Sequence, residues 1–305
     1  MKAYSWALCS SMTNDPNICV LDDGAQKIFY NKYRHTFNVE QPSSVTVVDS
    51  PKPVVPNDST IFSYFEITDC NNVVTNEFIE PLVSHLRHPL AKCQQPFYAG
   101  AKRPYLTVAR SWLVPSPSIP TTQKAYYFDA GSTNWLARDL GSSNSGDSLG
   151  GSSLAYFTTV FGRHGINFDM IEAWEGSTSP KDFYDTVPAD YKDRTIYHNH
   201  WVAHDPSTDP FVPTIIREKM EKEYYVVFKL DIDSKDVETK IVDHLLSSDN
   251  DDLDYVDEFI WEHHVNNYLM NPNWGDTVDT TKDIRDSYEY FLRLRRLGVR
   301  AHSWV

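Results

Sequence analysis

The sequence predicts an α/β protein: a mostly parallel, twisted sheet with helices on both faces, preceded by an N-terminal extension. Three observations predict it. From residue 124 onward, short apolar runs alternate with segments whose apolar residues recur at helical spacing, the pattern of a doubly wound sheet. The run at 224–232 is apolar enough to be a buried strand. Glycine and acidic residues stand where these runs end, and open α/β sheets bind ligands at the carboxyl ends of their strands.

Residues 1–120 read as an extension or small cap. Proline concentrates at 39–59 and 113–120, where its fixed φ and missing donor predict extended linkers. Between them 59–68 alternates weakly as a strand. Residues 76–91 read as a short helix broken at Pro81 and Pro89, expected to pack over the strand ends and shape an acceptor pocket. Residues 121–305 form the main domain. Strand 125–128 ends in Asp129-Ala130-Gly131, and helix 152–163 places Leu154, Phe157 and Phe161 on one face. Strands at 168–174 and 195–203 follow, then a helix at 213–223 and the buried strand 224–232. Helix 233–246 turns Val237, Ile241 and Leu245 inward; its acidic start suits the positive end of the dipole, with Asp233 expected as its cap. Strand 256–261 precedes helix 282–297, which carries Ile284, Tyr288, Phe291 and Leu292 on one face and stops at Gly298. A last strand lies at 299–305.

Charge narrows the function. Lys and Arg number 28 against 42 Asp and Glu, a formal charge of −14, which repels phosphate backbones and anionic lipid and argues against nucleic-acid or membrane-surface roles. No apolar run approaches the ~18 residues of a membrane span. The first dozen residues are too polar for a signal peptide, so a cytoplasmic placement is slightly favoured; a secretory lumen requires an N-terminal anchor that has been removed. Cys9, Cys19, Cys70 and Cys93 form no CxxC pair, which leaves a zinc knuckle unsupported; two disulfides and four free thiols fit equally well.

Several strand ends carry the candidate chemistry. At Phe128-Asp129-Ala130-Gly131-Ser132 the glycine lets backbone approach a ligand, and the amides that follow can hydrogen-bond it. The Gly/Ser-rich run 141–153 matches neither GxxxxGK[ST] nor GxGxxG. After the second strand, Glu172 or Glu175 can accept hydrogen bonds from ribose hydroxyls; alignment of strand and turn favours Glu175, which Gly176 follows. After the fourth, Asp231 and Asp233 project from one face and can share a cation or poise a base. Lys229, inside so apolar a strand, needs a carboxylate partner near them. The fifth ends in Glu262-His263-His264, whose histidine pair lands on the ligand edge of the sheet. His198-Asn199-His200 reads as the alternating face of strand three.

In this order the motifs resemble the FkbM-type S-adenosylmethionine-dependent methyltransferases, over roughly residues 124–305. The matching stretches are Phe128-Asp129-Ala130-Gly131, Ala173-Trp174-Glu175-Gly176, Asn199 to Ala203, Lys229 to Ser234 with Glu238, and Glu262-His263. Ser132 and Trp135 stand where the family has Ala and Gly, and Asp233-Ser234 replaces Glu-Gly. The resemblance implies a Rossmann-like class I methyltransferase domain. It implies S-adenosylmethionine held by Asp129, Ala130, Gly131, Ser132 and Glu175, and a catalytic set of Lys229, Asp231, Asp233 and His263. The Asp-x-Asp is similar to the acidic turn of metal-dependent macrolide-sugar O-methyltransferases, which implies Mg²⁺ on Asp231 and Asp233 and a sugar or glycan hydroxyl as acceptor. Two other readings stand beside it: a glycosyltransferase using Asp231-Ile232-Asp233 as a manganese-binding DxD motif, and a non-catalytic binding protein on a degenerate methyltransferase scaffold.

Overall fold

The computed structural model describes residues 2–5, 63–68, 74–79, 119, 122–135, 152–266 and 271–304. Its centre is a six-stranded sheet made of β4 (Ala125–Ala130), β5 (Met170–Trp174), β6 (Thr195–His198), β7 (Tyr225–Leu230), β8 (Glu258–Trp261) and β9 (Arg300–Ser303). Every pairing is parallel, in the order β6-β5-β4-β7-β8-β9. The chain winds outward from β4 through β5 to β6, then returns to β7 and winds the other way. The order therefore reverses between β4 and β7, the switch point where a crevice opens beyond the strand ends.

Both faces of the sheet are covered, as parallel sheets require. On one face Phe128 and Ala130 of β4, with Val226, Phe228 and Leu230 of β7, pack against α4 (Val212–Lys219), α5 (Lys235–Leu245) and α7 (Ile284–Arg296). On the other, Ala125, Tyr127, Tyr225 and Val227 meet Leu154, Phe157 and Phe161 of α1 (Ser153–Arg163) and Phe183 of α2 (Pro180–Tyr184). The period-2 alternation that sorts these residues sends Asp129 and Lys229 to the α1 face, and the register sets them side by side on adjacent strands. Two further short helices, α3 (Ala189–Lys192) and α6 (Asn271–Trp274), are too brief to show a period in the sequence.

The helix ends are set locally. Ser152 caps α1 by accepting from the Ala155 amide. A reciprocal Asp283–Asp286 capping box starts α7, and Gly298, at φ +96°, follows its end. At α5 the expectation fails, because the cap residue is Ser234, without a side-chain bond, and not Asp233. Asp233 stands one residue earlier at φ +55°, in the left-handed region that favours glycine, and its side chain is free of the helix.

In the extension, β1 (Lys2–Ser5), β2 (Ser63–Thr68) and β3 (Val74–Ile79) form an antiparallel sheet. The helix expected from residue 76 is contradicted over its first turn, where residues 76–79 pair with β2; residues 80–91 lie outside the described residues. The sheet touches the main domain through Glu77, 3.5 Å from Arg300 Nη1, and through Phe65, whose ring lies under the Arg300 guanidinium. Arg300 is the first residue of β9, so these contacts lie at the edge opposite the strand ends that the extension was expected to cover. Among the described residues no helix is long and apolar enough to cross a membrane.

Candidate metal centre

At the switch point the chain runs too close for any side chain on Gly131. A Cβ there would sit 1.6 Å from the Asp231 carbonyl oxygen, and φ is +89°. The amides of Gly131 and Ser132 do not face a ligand, contrary to expectation, since both donate to the Trp174 carbonyl at 3.0 Å. This ties the end of β4 to the end of β5.

Asp129, Ala130 and Ser132, at the end of β4, are fully buried. Asp129 Oδ2 accepts from the Tyr127 hydroxyl (2.9 Å) and Ser153 Oγ (2.6 Å), while Oδ1 lies 3.3 Å from Lys229 Nζ. Lys229, itself buried, also reaches Asp231 Oδ2 at 3.0 Å and donates to the Gly131 carbonyl at 3.1 Å. Burial alone would lower the lysine pKa, but its two carboxylate partners outweigh that and raise it. The expected partner of Lys229 is thus two carboxylates, one on each side of the switch point.

Beyond Asp231 a second cluster begins. Oxygens of Asp231, Asp233 and Glu262 and a ring nitrogen of His264 all lie within 4.8 Å of one another. The period that pairs Asp231 with Asp233 also pairs Glu262 with His264, so His264, not His263, enters the site. His263 turns the other way, stacks on Trp261 at 3.9 Å, and is held neutral by burial with a pKa near 3. This corrects the catalytic assignment of His263.

His264 is aimed by its surroundings. Nδ1 lies 2.6 Å from Thr277 Oγ1, and that hydroxyl donates to the Trp274 carbonyl, so the nitrogen must be the donor. Nε2 then faces the acids, 3.3 Å from Glu262 Oε2 and 3.7 Å from Asp233 Oδ1, buried and in no hydrogen bond among the described residues. A histidine that donates through one ring nitrogen to a fixed acceptor and points the other into a carboxylate set has the arrangement of a metal ligand. Three indoles orient the acids: Trp304 Nε1 donates to Asp231 Oδ2 (3.1 Å), Trp274 Nε1 to Glu262 Oε1 (2.7 Å), and Trp261 Nε1 to Glu238 Oε2 (3.0 Å).

The charges do not balance. Burial, with Asp231 beside it, lifts Glu262 to about 7; burial lifts Glu238 to about 7 as well. His264 rises to about 9, because Glu262 and its acidic neighbours outweigh the effect of burial. Asp231 stays low because Lys229 outweighs its burial. Three carboxylates and one imidazole suit a hard divalent cation such as Mg²⁺ or Mn²⁺. Asp233, 75% exposed in its side chain, keeps this set open to solvent.

The other sequence candidates sort cleanly. Glu175, just past β5, accepts from Ser177 N (2.6 Å) and Ser177 Oγ (2.5 Å) through Oε1. Asn199 braces the turn by donating to the carbonyls of Glu175, Gly176 and Thr178, which gives the triplet's Asn a supporting role. Glu172, the alternative to Glu175, points away to Lys219 (2.5 Å) and His198 (2.7 Å) and serves the fold. No family model matches the chain, and neither the curated proteins nor the solved structures supply a match.

Proposed function

We propose that this chain is a divalent-metal-assisted, S-adenosylmethionine-dependent O-methyltransferase acting on a sugar or glycan hydroxyl. One observation carries the reading: the donor cluster of Asp231, Asp233, Glu262 and His264 stands at the switch point of an all-parallel sheet, beside the Gly131 turn. Glu175, beyond the neighbouring strand, supplies an acceptor for the ribose hydroxyls.

The reaction asks little covalent work of the protein. The S–CH₃ bond of the sulfonium breaks as the O–CH₃ bond forms, and the hydroxyl proton must leave. Catalysis is therefore alignment plus proton removal. Asp233 is the exposed carboxylate of the cluster and the group placed to take that proton. Lys229 fixes Asp129 and Asp231 on the two sides of the switch point. Asp231, Asp233, Glu262 and His264 would hold the cation, which when bound lowers the pKa of an oxygen it touches.

Titration calorimetry tests the reading. S-adenosylhomocysteine is expected to bind with micromolar affinity, about −8 kcal/mol, with nucleotide sugars silent, and Mn²⁺ to bind independently. Binding of a nucleoside diphosphate sugar only with Mn²⁺ would instead favour the glycosyltransferase, with Asp231 and Asp233 as its metal-binding pair. Binding of neither ligand sinks both enzymes.

A further inference from the structure

Glu238 lies on the inward stripe of α5 together with Ile241, Val242 and Leu245, and is as buried as they are. A carboxyl group on such a stripe is costly unless its oxygens are matched. Here they are matched by partners from two separate segments. Oε1 accepts from the amides of Ile232 (3.0 Å) and Ser234 (3.3 Å), which flank Asp233. Oε2 accepts from Trp261 Nε1 (3.0 Å), in the residue that directly precedes Glu262.

We propose that Glu238 is the positioning residue of the metal centre: one buried carboxylate that locks the Asp231–Asp233 turn to the Glu262–His264 segment and so fixes the spacing of the four donors. The inference rests on the metal reading of the cluster. Two features separate this role from ordinary helix capping. A cap satisfies amides of its own helix, whereas Glu238 reaches Ile232, two residues before the cap residue Ser234. A cap also needs no donor from another strand, and Trp261 supplies one. The bond to Ile232 and Ser234 holds Asp233 in its left-handed conformation, which a non-glycine residue keeps only when its surroundings enforce it.

The test is Mn²⁺ binding, followed by paramagnetic resonance of the free ion and by calorimetry, on wild type, Glu238→Gln, Trp261→Phe and the double variant. Glu238→Gln keeps an oxygen for the two amides but turns an NH₂ toward the indole; Trp261→Phe keeps the ring and removes only the donor. Each single change is expected to weaken Mn²⁺ binding about 10- to 100-fold, as outer partners of metal ligands do. The double variant should be no weaker than the worse single, because both cut the same link. Unchanged Mn²⁺ affinity in both folded singles, with only a lower Tm, reduces Glu238 to a structural acid and overturns the proposal. Losses that simply multiply in the double variant also overturn it. If wild type itself binds no Mn²⁺, the metal reading fails first, and the positioning role falls with it.

Discussion

The β7–β8–β9 half of the sheet carries a charged cluster at each end, and the two clusters differ in kind. Where β7, β8 and β9 begin, Glu258 receives the Tyr225 hydroxyl, His302 Nε2 at 3.1 Å and Arg300 Nε at 3.3 Å. Burial alone would raise the Glu258 pKa, but these partners hold it below its usual value. Where the strands end, Asp231, Asp233, Glu238 and Glu262 outnumber Lys229 and His264, and two of the acids are pushed to about 7. Apart from the exposed Asp233 both clusters are largely buried, so burial by itself does not distinguish a site from a brace. Charge balance does: the first cluster is complete as it stands, while the second lacks positive charge that a divalent cation would supply.

The largest effect should come from removing Lys229, the one cation among the described residues that pairs with carboxylates on both sides of the switch point. Lys229→Met leaves the buried Asp129 without its ion-pair partner and Asp231 with only the more distant His264, a loss of about 3–5 kcal/mol. Arg300→Met at the other end leaves Glu258 its histidine and tyrosine, so about 1.5–3 kcal/mol is expected, the scale of a hydrogen bond to a charged group. Urea denaturation of both variants checks the pair. An equal loss, or a larger one for Arg300→Met, would break the contrast.

A cation added to the wild type should act at one end only. Mn²⁺ at a hundred times its dissociation constant raises stability by about 2.7 kcal/mol, and the gain should vanish in His264→Ala and survive in Glu258→Gln. Binding should also tighten as pH rises from 6 to 9, because Glu262 near 7 and His264 near 9 each hold a proton the metal must displace. Calorimetry at three pH values measures it; affinity that is flat with pH excludes these two as ligands.

The two ends should also respond to pH with opposite sign in chelator. Glu258, with its folded pKa lowered from 4.5, stabilises the protein above that value, and the contribution is lost as pH falls through the folded pKa. Glu238 and Glu262 have folded pKa values raised from 4.5 to about 7, so the unfolded chain releases their protons first and stability declines between those values as pH rises. His264, raised from 6.5 to about 9, adds stability that is full below 6.5 and lost through 9, in the same direction. Thermal melts from pH 2 to 9, with chelator and then with Mn²⁺, should show the part of the decline due to Glu262 and His264 removed by metal, and Glu258→Gln should flatten the acid limb below 4.5.

The parallel sheet was readable because its central strands are apolar runs and the longer helices α1, α4, α5 and α7 show their period, whereas α2, α3 and α6 are too short to show one and β9 is polar. The positions of Gly131 and the Asp231–Asp233 pair at the strand ends were readable because the apolar runs stop there. The histidine of the site is His264 rather than the expected His263, and the signal for it is the same alternation that pairs Asp231 with Asp233 and Glu262 with His264. Glu238 had a weaker signal, an acid at helical spacing with Ile241, Val242 and Leu245. Trp274, Thr277 and Trp304 had none, since their roles depend on chain returning from beyond the strands. The strand at 74–79 overlaps the first turn of the helix expected at 76–91, because its partner, β2, decides its conformation, and pairing is not a local property.

The smallest effect, and the sharpest check on the alternation, concerns His263. Its ring stacks on Trp261, stands edge-on to Tyr290 at 5.4 Å, and has both nitrogens buried without a hydrogen-bond partner among the described residues. An unsatisfied buried polar group costs about 1–3 kcal/mol, so His263→Phe, which fills the same slot, should be neutral or mildly stabilising at neutral pH. The histidine titrates near 3 when folded and near 6.5 when unfolded, so its contribution is intact above 6.5 and is lost as pH falls toward 3. The phenylalanine variant should therefore outlast the wild type most clearly at pH 4–5, while its Mn²⁺ affinity stays within about twofold. His264→Phe, one residue on, should abolish Mn²⁺ binding. If His263→Phe instead loses the metal, the two histidines have exchanged faces and the centre must be rebuilt around the other ring.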